Sequence, residues 1–246
     1  MITNQERFLQ SCDKVINGEV LREGIGTLSE KTVHAVLKDY FESDPTKTEI
    51  RVGKNVADIL NDQGIIEIQT KQFNRLRAKL AAFLPEFDVT VVYPVASTKM
   101  LHWVDETTGE ISKGRKSPKK GTPYMIFPEL YKIKSFLTNE RLHFRIVLMD
   151  IDEYRLLNGW SKDKKKGSCC SDRLPTALVQ EIAIHCLDDY RQFIPDGLPK
   201  QFISKEFAKA AKIPTSLAQI TLNILTEVQA VNRIGKRNRS ILYELI

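Results

Sequence analysis

Residues Glu49 to Phe73 read EIRVGKNVADILNDQGIIEIQTKQF, and this stretch decides the fold. Val52, Val56 and Ile59 are apolar among polar neighbours, and Asn61-Asp62-Gln63-Gly64 supplies turn chemistry, with Gly64 free to take positive φ. Ile65-Ile66-Glu67-Ile68-Gln69 then shows a β-branched bias with a carboxylate set between isoleucines. The stretch reads as two short strands around a tight turn, running on into a helix. A charge inside an apolar strand is costly unless it is paired or bound to a metal. Asp58 precedes the turn on the partner strand, so the hairpin can bring the Asp58 and Glu67 carboxylates together. Two carboxylates that close repel, and a divalent cation is a common way to satisfy both.

An acid on one strand, followed by acid-x-residue on the next, resembles the PD-(D/E)-x-K nuclease superfamily. The resemblance implies a restriction-endonuclease-like α/β fold, a central mixed sheet flanked by helices, and a Mg2+ (or Mn2+) cofactor held by Asp58 and Glu67. At the lysine position this sequence has Gln69, which cannot carry charge to a scissile phosphate. Lys71 shares the face of Glu67 and Gln69 if the strand continues, and is the expected substitute. In the catalytic reading Gln69 orients the attacking water and Lys71 stabilises the transition state. In many members a glutamate on the helix before the hairpin reaches the metal. Glu30, one turn from His34, is its counterpart here, the alternative being a helix-start acid that favours the dipole.

Apolar residues at 42% and charged residues at 28% suit a globular chain with a sizeable core, and no run is long and apolar enough for a membrane span. Met1 to Glu6 lacks the start of a signal peptide, so a cytoplasmic setting is expected. Cys12, Cys169, Cys170 and Cys186 show no zinc spacing and read as reduced thiols. The net charge of +6 suits a polyanionic partner, and the basic residues come in blocks. The block Lys113 to Lys120, KGRKSPKK, reads as a mobile loop in which Lys113, Arg115, Lys116, Lys119 and Lys120 either meet phosphate or are simply solvated.

Elsewhere the periodicity predicts helices over 1–24, from Ser29 towards Pro45, over 74–84 and over 128–137, with buried strands at 89–95 and 142–149. The strand–helix–strand order makes strands 65–69 and 89–93 parallel neighbours. Asp150, Asp152 and Glu153 stand at a strand exit, either as a cation site or as the start of the next element. Residues 158–173 read as a basic, disordered or nucleic-acid-facing loop. Pro175 opens a long helix to Phe193, with Leu178, Ile182, Cys186, Leu187 and Tyr190 as its stripe.

The run Ile194 to Pro199 is a linker, dividing a domain of residues 1–193 from one of residues 200–246. In the second, two short helices precede alternating strands around Gly235-Lys236-Arg237-Asn238-Arg239, which resembles a winged-helix domain. That resemblance implies DNA contacts from Thr215, Ser216, Gln219 and Asn223 on the second helix and from Lys236, Arg237 and Arg239 on the wing. A winged helix used for protein contact is the alternative. The leading expectation is a metal-dependent nuclease acting on DNA. A non-catalytic DNA-binding protein with a degenerate nuclease-like fold is the rival, and a structural protein whose basic loops bind an acidic partner is a third reading. A homodimer is open and no membrane partner is expected.

Overall fold

The computed structural model describes residues 3–18, 31–160 and 166–246. Helices α1 (Asn4–Asn17) and α2 (Lys31–Phe41) precede strands β1 (Thr48–Val52), β2 (Asn55–Asn61) and β3 (Gly64–Ile68). Helix α3 (Arg77–Phe83) leads to strand β4 (Val89–Val104), the short strand β5 (Arg115–Lys116) and helix α4 (Phe127–Lys132). Strands β6 (Leu142–Trp160) and β7 (Lys166–Ile184) follow. The chain ends with β8 (Gln201–Ile203), α5 (Ser204–Ala211), α6 (Thr215–Glu227), β9 (Val231–Arg237) and β10 (Ser240–Leu245).

Among the described residues seven strands form a mixed sheet in the order β1-β2-β3-β4-β6-β7, with β5 beside β4. The first three strands are antiparallel neighbours. The crossover through α3 brings β4 parallel to β3, with Ile65 opposite Val89, as the strand–helix–strand order requires. Strand β6 is parallel to β4 and β7 antiparallel to β6. Phe8 of α1 and Val33, Val36 and Leu37 of α2 cover one face, against Ile59, Ile66, Ile68, Val92, Val147 and Met149. Leu80 and Phe83 of α3 and Phe127 and Leu130 of α4 cover the other, against Ile65, Val91, Phe144 and Ile184. The molecule is therefore a mixed α/β protein with a large sheet flanked by helices.

Several expectations need correction. The long helix over 175–193 is absent: residues 175–184 belong to β7, and only Asp188–Phe193 forms a short 3-10 turn. The cause is a register shift between Leu148↔Gln180 and Met149↔Leu178. A bulge there turns Leu178 to the α1–α2 face and leaves Ile182 and Ile184 on the α3–α4 face. The period-2 signal is broken, and spacings of four remain. The stretch 158–173 is likewise not a loop where it is described, because β6 reaches Trp160 and β7 begins at Lys166.

The three acids do not end their strand, since β6 runs past them. Asp150 accepts hydrogen bonds from the amide and hydroxyl of Thr98, and Glu153 is buried. The basic block 113–120 is not free: Arg115 and Lys116 pair with Leu101 and Met100, and the Ser117 and Gly121 amides donate to Lys99 and Ser97 carbonyls at 2.8 and 2.9 Å.

Residues 194–199 connect without separating. The cluster that holds α3 and α4 continues into Phe202, Phe207, Leu222 and Leu225, and Ile194 and Leu198 pack against it. Helices α5 and α6 lie beside an antiparallel sheet in the order β8-β10-β9. Among the described residues no helix is long and apolar enough to cross a membrane.

Candidate active site

The site begins where β2 and β3 part. Their pairing runs from Asn61↔Gly64 to Ile59↔Ile66 and stops. Two residues further along β3, the Ile68 amide donates to Asp58 Oδ2 at 2.7 Å. The carboxylate replaces a main-chain acceptor and holds the splay open. Gly64, at φ 105°, permits the tight turn, and a Cβ there would lie 2.3 Å from the Asp88 carbonyl oxygen.

Helices from both faces reach the splayed end. From α2, His34 Nε2 lies 3.1 Å from Asp58 Oδ2. From α3, Lys79 Nζ donates to both oxygens of Glu67, at 3.0 and 2.8 Å. Asp58, Glu67, His34, Lys79 and Gln69 line one cavity of about 790 Å³. The hairpin thus brings the two carboxylates to one cleft. Glu67 is only 2% exposed.

The environment drives the two acids apart. Burial, then the nearby Asp58 charge, pushes the Glu67 carboxyl up to about 7 against the pull of Lys79. Burial also raises Asp58, but the hydrogen bond and charge of His34, the Ile68 amide and Lys79 outweigh it, and that carboxyl lies below its ordinary value. An ionised acid beside one that titrates near neutrality is the pattern of sites that handle protons or cations.

The sequence positions divide as follows. Gln69 lines the cleft, and its Nε2 donates to the Lys71 carbonyl. Lys71 does not share the strand face, because β3 ends at Ile68; its side chain lines a neighbouring cavity. The cation beside Glu67 is Lys79, which the strand-based reading missed. Its signal is present in the sequence: Lys79 lies three residues after Leu76 and four before Phe83, inside the apolar stripe of the crossover helix. Glu30 and the Ser29 helix start lie outside the described residues.

Among the described residues no group of three or more His, Cys, Asp or Glu side chains is arranged to hold a metal ion. A magnesium ion does not require one, because it keeps several waters and is commonly bound through one or two carboxylates plus substrate phosphate. Asp58 and Glu67 offer hard oxygen donors of that kind, and a divalent cation would offset both the burial and the Asp58 charge that raise Glu67.

In the C-terminal unit Thr215, Ser216, Gln219 and Asn223 are exposed on α6. Gln219 and Asn223 line a groove of about 480 Å³ with Lys134, Arg233 and Arg239. Lys236, Arg237 and Arg239 are exposed around the β9–β10 turn, with Arg237 tied to Glu206. Lys113, Arg115, Lys116, Lys119 and Lys120 are all exposed.

Fold and site together define a mixed α/β protein with a paired-carboxylate cleft at a splayed sheet end. The chain belongs to the family described as Domain of unknown function (DUF8091), whose model matches residues 31–185 and so spans Asp58, Glu67 and Lys79. A protein of Treponema pallidum (strain Nichols), described as uncharacterized, is 36% identical over 221 residues, covering 89% of this chain and 86% of its own. That alignment is longer than the segment the family model matches. No solved structure matches the chain.

Proposed function

We propose that the chain is a metal-dependent phosphodiesterase acting on DNA, with a restriction-endonuclease-like sheet and a C-terminal winged helix. The observation that carries this reading is the cleft itself: two carboxylates at a splayed hairpin end, with the Lys79 ammonium on Glu67. Lys79 provides the positive charge that Gln69 cannot. The order β8-α5-α6-β9-β10, the exposed polar face of α6 and the basic β9–β10 turn support a DNA-binding role for the C-terminal unit. A cytoplasmic setting and self-association as a homodimer accompany this reading without bearing on the chemistry.

A bound Mg2+ or Mn2+ would lower the pKa of a water and offset charge on the phosphate, with Asp58 and Glu67 as its protein ligands. The chain's own residues do the rest. His34 and the Ile68 amide fix the Asp58 carboxylate. Lys79 stands beside Glu67, ready to neutralise a phosphate oxygen as charge develops there. With its amide nitrogen held by the Lys71 carbonyl, Gln69 presents Oε1 to accept a hydrogen bond from a water in the cleft.

The test is cleavage of linear and supercoiled DNA in Mg2+ and Mn2+. Asp58→Ala and Glu67→Ala abolish cleavage and retain DNA affinity. Lys79→Ala lowers the rate by about 10²–10³-fold, the scale for one lost charge-stabilising donor, and Lys71→Ala lowers it less. The rival, a DNA-binding protein without catalysis, is favoured by two observations: Lys79 closes on Glu67, and Gln69 replaces the strand lysine. DNA binding with no cleavage in either metal would establish the rival.

A further inference from the structure

Beside the carboxylate cleft lies a second cavity, of about 290 Å³, with Thr70 lining both. Its rim carries Lys71, Lys99, Lys119, Lys120 and Arg173, and among the described residues no carboxylate lines it. Its floor is apolar, with Pro94, Val95 and Ile151. Neither the proposed metal ligands nor Lys79 belongs to it.

The cations are held in place by two devices. Behind the rim, Glu153 is 2% exposed and accepts from Lys99 Nζ at 3.1 Å, Arg173 Nε at 3.1 Å and Arg155 Nη1 at 2.6 Å. One buried carboxylate thus fixes three cations in place. In front, Gly121 brings the Lys119–Lys120 segment down onto β4: a Cβ there would lie 2.1 Å from the Ala96 carbonyl oxygen and 2.7 Å from Val95 Cγ1. Among the described residues Lys71, Lys119 and Lys120 make no ion pair of their own. Assembling like charges around an enclosed space is unfavourable unless an anion enters it.

We infer that this cavity is a phosphate site that takes the terminal phosphomonoester of a nucleic-acid strand whose scissile bond lies at Asp58 and Glu67. The inference rests on the nuclease reading for its substrate class, though not for the anion chemistry. A terminal phosphate carries up to two negative charges where an internal diester carries one, and three lysines, Lys71, Lys119 and Lys120, with no ion pair among the described residues suit the former. The volume sits at the small end of ligand pockets, which suits a strand end rather than a duplex passing through. The shared wall at Thr70 places the end next to the cleft.

The experiment compares 5′-phosphorylated, 3′-phosphorylated and unphosphorylated oligonucleotides of one sequence by fluorescence anisotropy in EDTA, with inorganic phosphate as competitor. A phosphorylated end binds about tenfold more tightly than a hydroxyl end, the scale of one charge-assisted contact pair, and millimolar phosphate removes the advantage. The variant Lys119→Ala/Lys120→Ala, at two exposed side chains, loses it, whereas Glu67→Gln keeps it. Equal affinity for all three oligonucleotides overturns the inference, also if inorganic phosphate alone binds, because the site would then serve free phosphate. End preference without cleavage in Mg2+ or Mn2+ upholds the phosphate site and ends the nuclease reading; cleavage without end preference does the reverse.

Discussion

Glu153 shows how much one side chain can carry. It is buried and faces three cations, each a quarter or so exposed. Burial raises its carboxyl, but the Lys99 and Arg173 charges and the hydrogen bonds from Lys99 and Arg155 outweigh burial and hold it at about 2, against an ordinary 4.5. A folded-state value below the unfolded one means stability that is present above pH 4.5 and is lost as pH falls through about 2. The shift corresponds to about 3 kcal/mol at most. Glu153→Gln removes that pH dependence and, by taking the shared carboxylate from three partly buried cations, costs about 3 kcal/mol at pH 7. Urea unfolding at pH 7 and pH 3 checks both, and an unchanged slope with pH would show that Glu153 is not the linked group. The sequence shows Glu153 only as one of three acids near a strand end. Its partners come from two other positions on β4 and β7 and from its own strand, and no local pattern joins them. Asp58 and Glu67 were legible for the opposite reason: one tight hairpin joins them, and an acid between isoleucines needs an explanation. Lys79 lay between these cases, visible as a charge in an apolar stripe but without a partner until the crossover is drawn.

At the scale of elements, strands β3 and β4 and helices α2, α3, α5 and α6 follow from periodicity and turn chemistry, whereas the single strand read before Asn61 is two, β1 and β2, folded back at Gly53-Lys54. Strand β7 does not follow either, because its bulge sends neighbouring side chains to different cores. The two readings differ at Cys186. A helix over 175–193 buries it with Leu178 and Ile182, whereas here it is exposed beyond the strand end. A brief iodoacetamide pulse on the native protein therefore labels Cys186 and spares Cys12, which is buried and whose thiol burial pushes up to about 12. Protection of Cys186 in the peptide map would restore the helix. The β9–β10 turn makes a different prediction. Lys236, Arg237 and Arg239 are exposed, and Arg237 also pairs with Glu206. If the turn meets phosphate, replacing all three by alanine lowers the slope of log affinity for DNA against log salt by about 2–3. Stability changes by about 0.5 kcal/mol or less, because exposed ion pairs contribute little. Identical slopes for wild type and variant would assign the unit to protein contact.

The whole molecule behaves differently from what its composition suggests. Two prolines and a glycine in Ile194 to Pro199 mark a boundary in the sequence, yet the apolar residues on either side of it belong to one cluster. Linker composition reports that a segment forms no helix or strand; it does not report whether the flanking surfaces are apolar enough to meet. Here Tyr124 is the junction: its ring meets Phe127 and Phe193 on the first side and Phe207 edge-on on the second, at 6.2 Å for Phe207. Lys134 and Glu227 add an ion pair at 2.7 Å across the same seam. A shared core of this kind couples unfolding of the two units. Both tryptophans, Trp103 and Trp160, precede the boundary, so their fluorescence reports the first unit alone. Phe207 lies beyond the boundary and is fully buried. Phe207→Ala leaves a cavity and costs about 3–5 kcal/mol. In a coupled molecule that loss lowers the denaturant midpoint seen by tryptophan fluorescence as much as the midpoint seen by far-ultraviolet ellipticity. A tryptophan midpoint that stays at the wild-type value while ellipticity shows an earlier transition would mean that the two units unfold independently, and that the residues around Tyr124 touch without coupling.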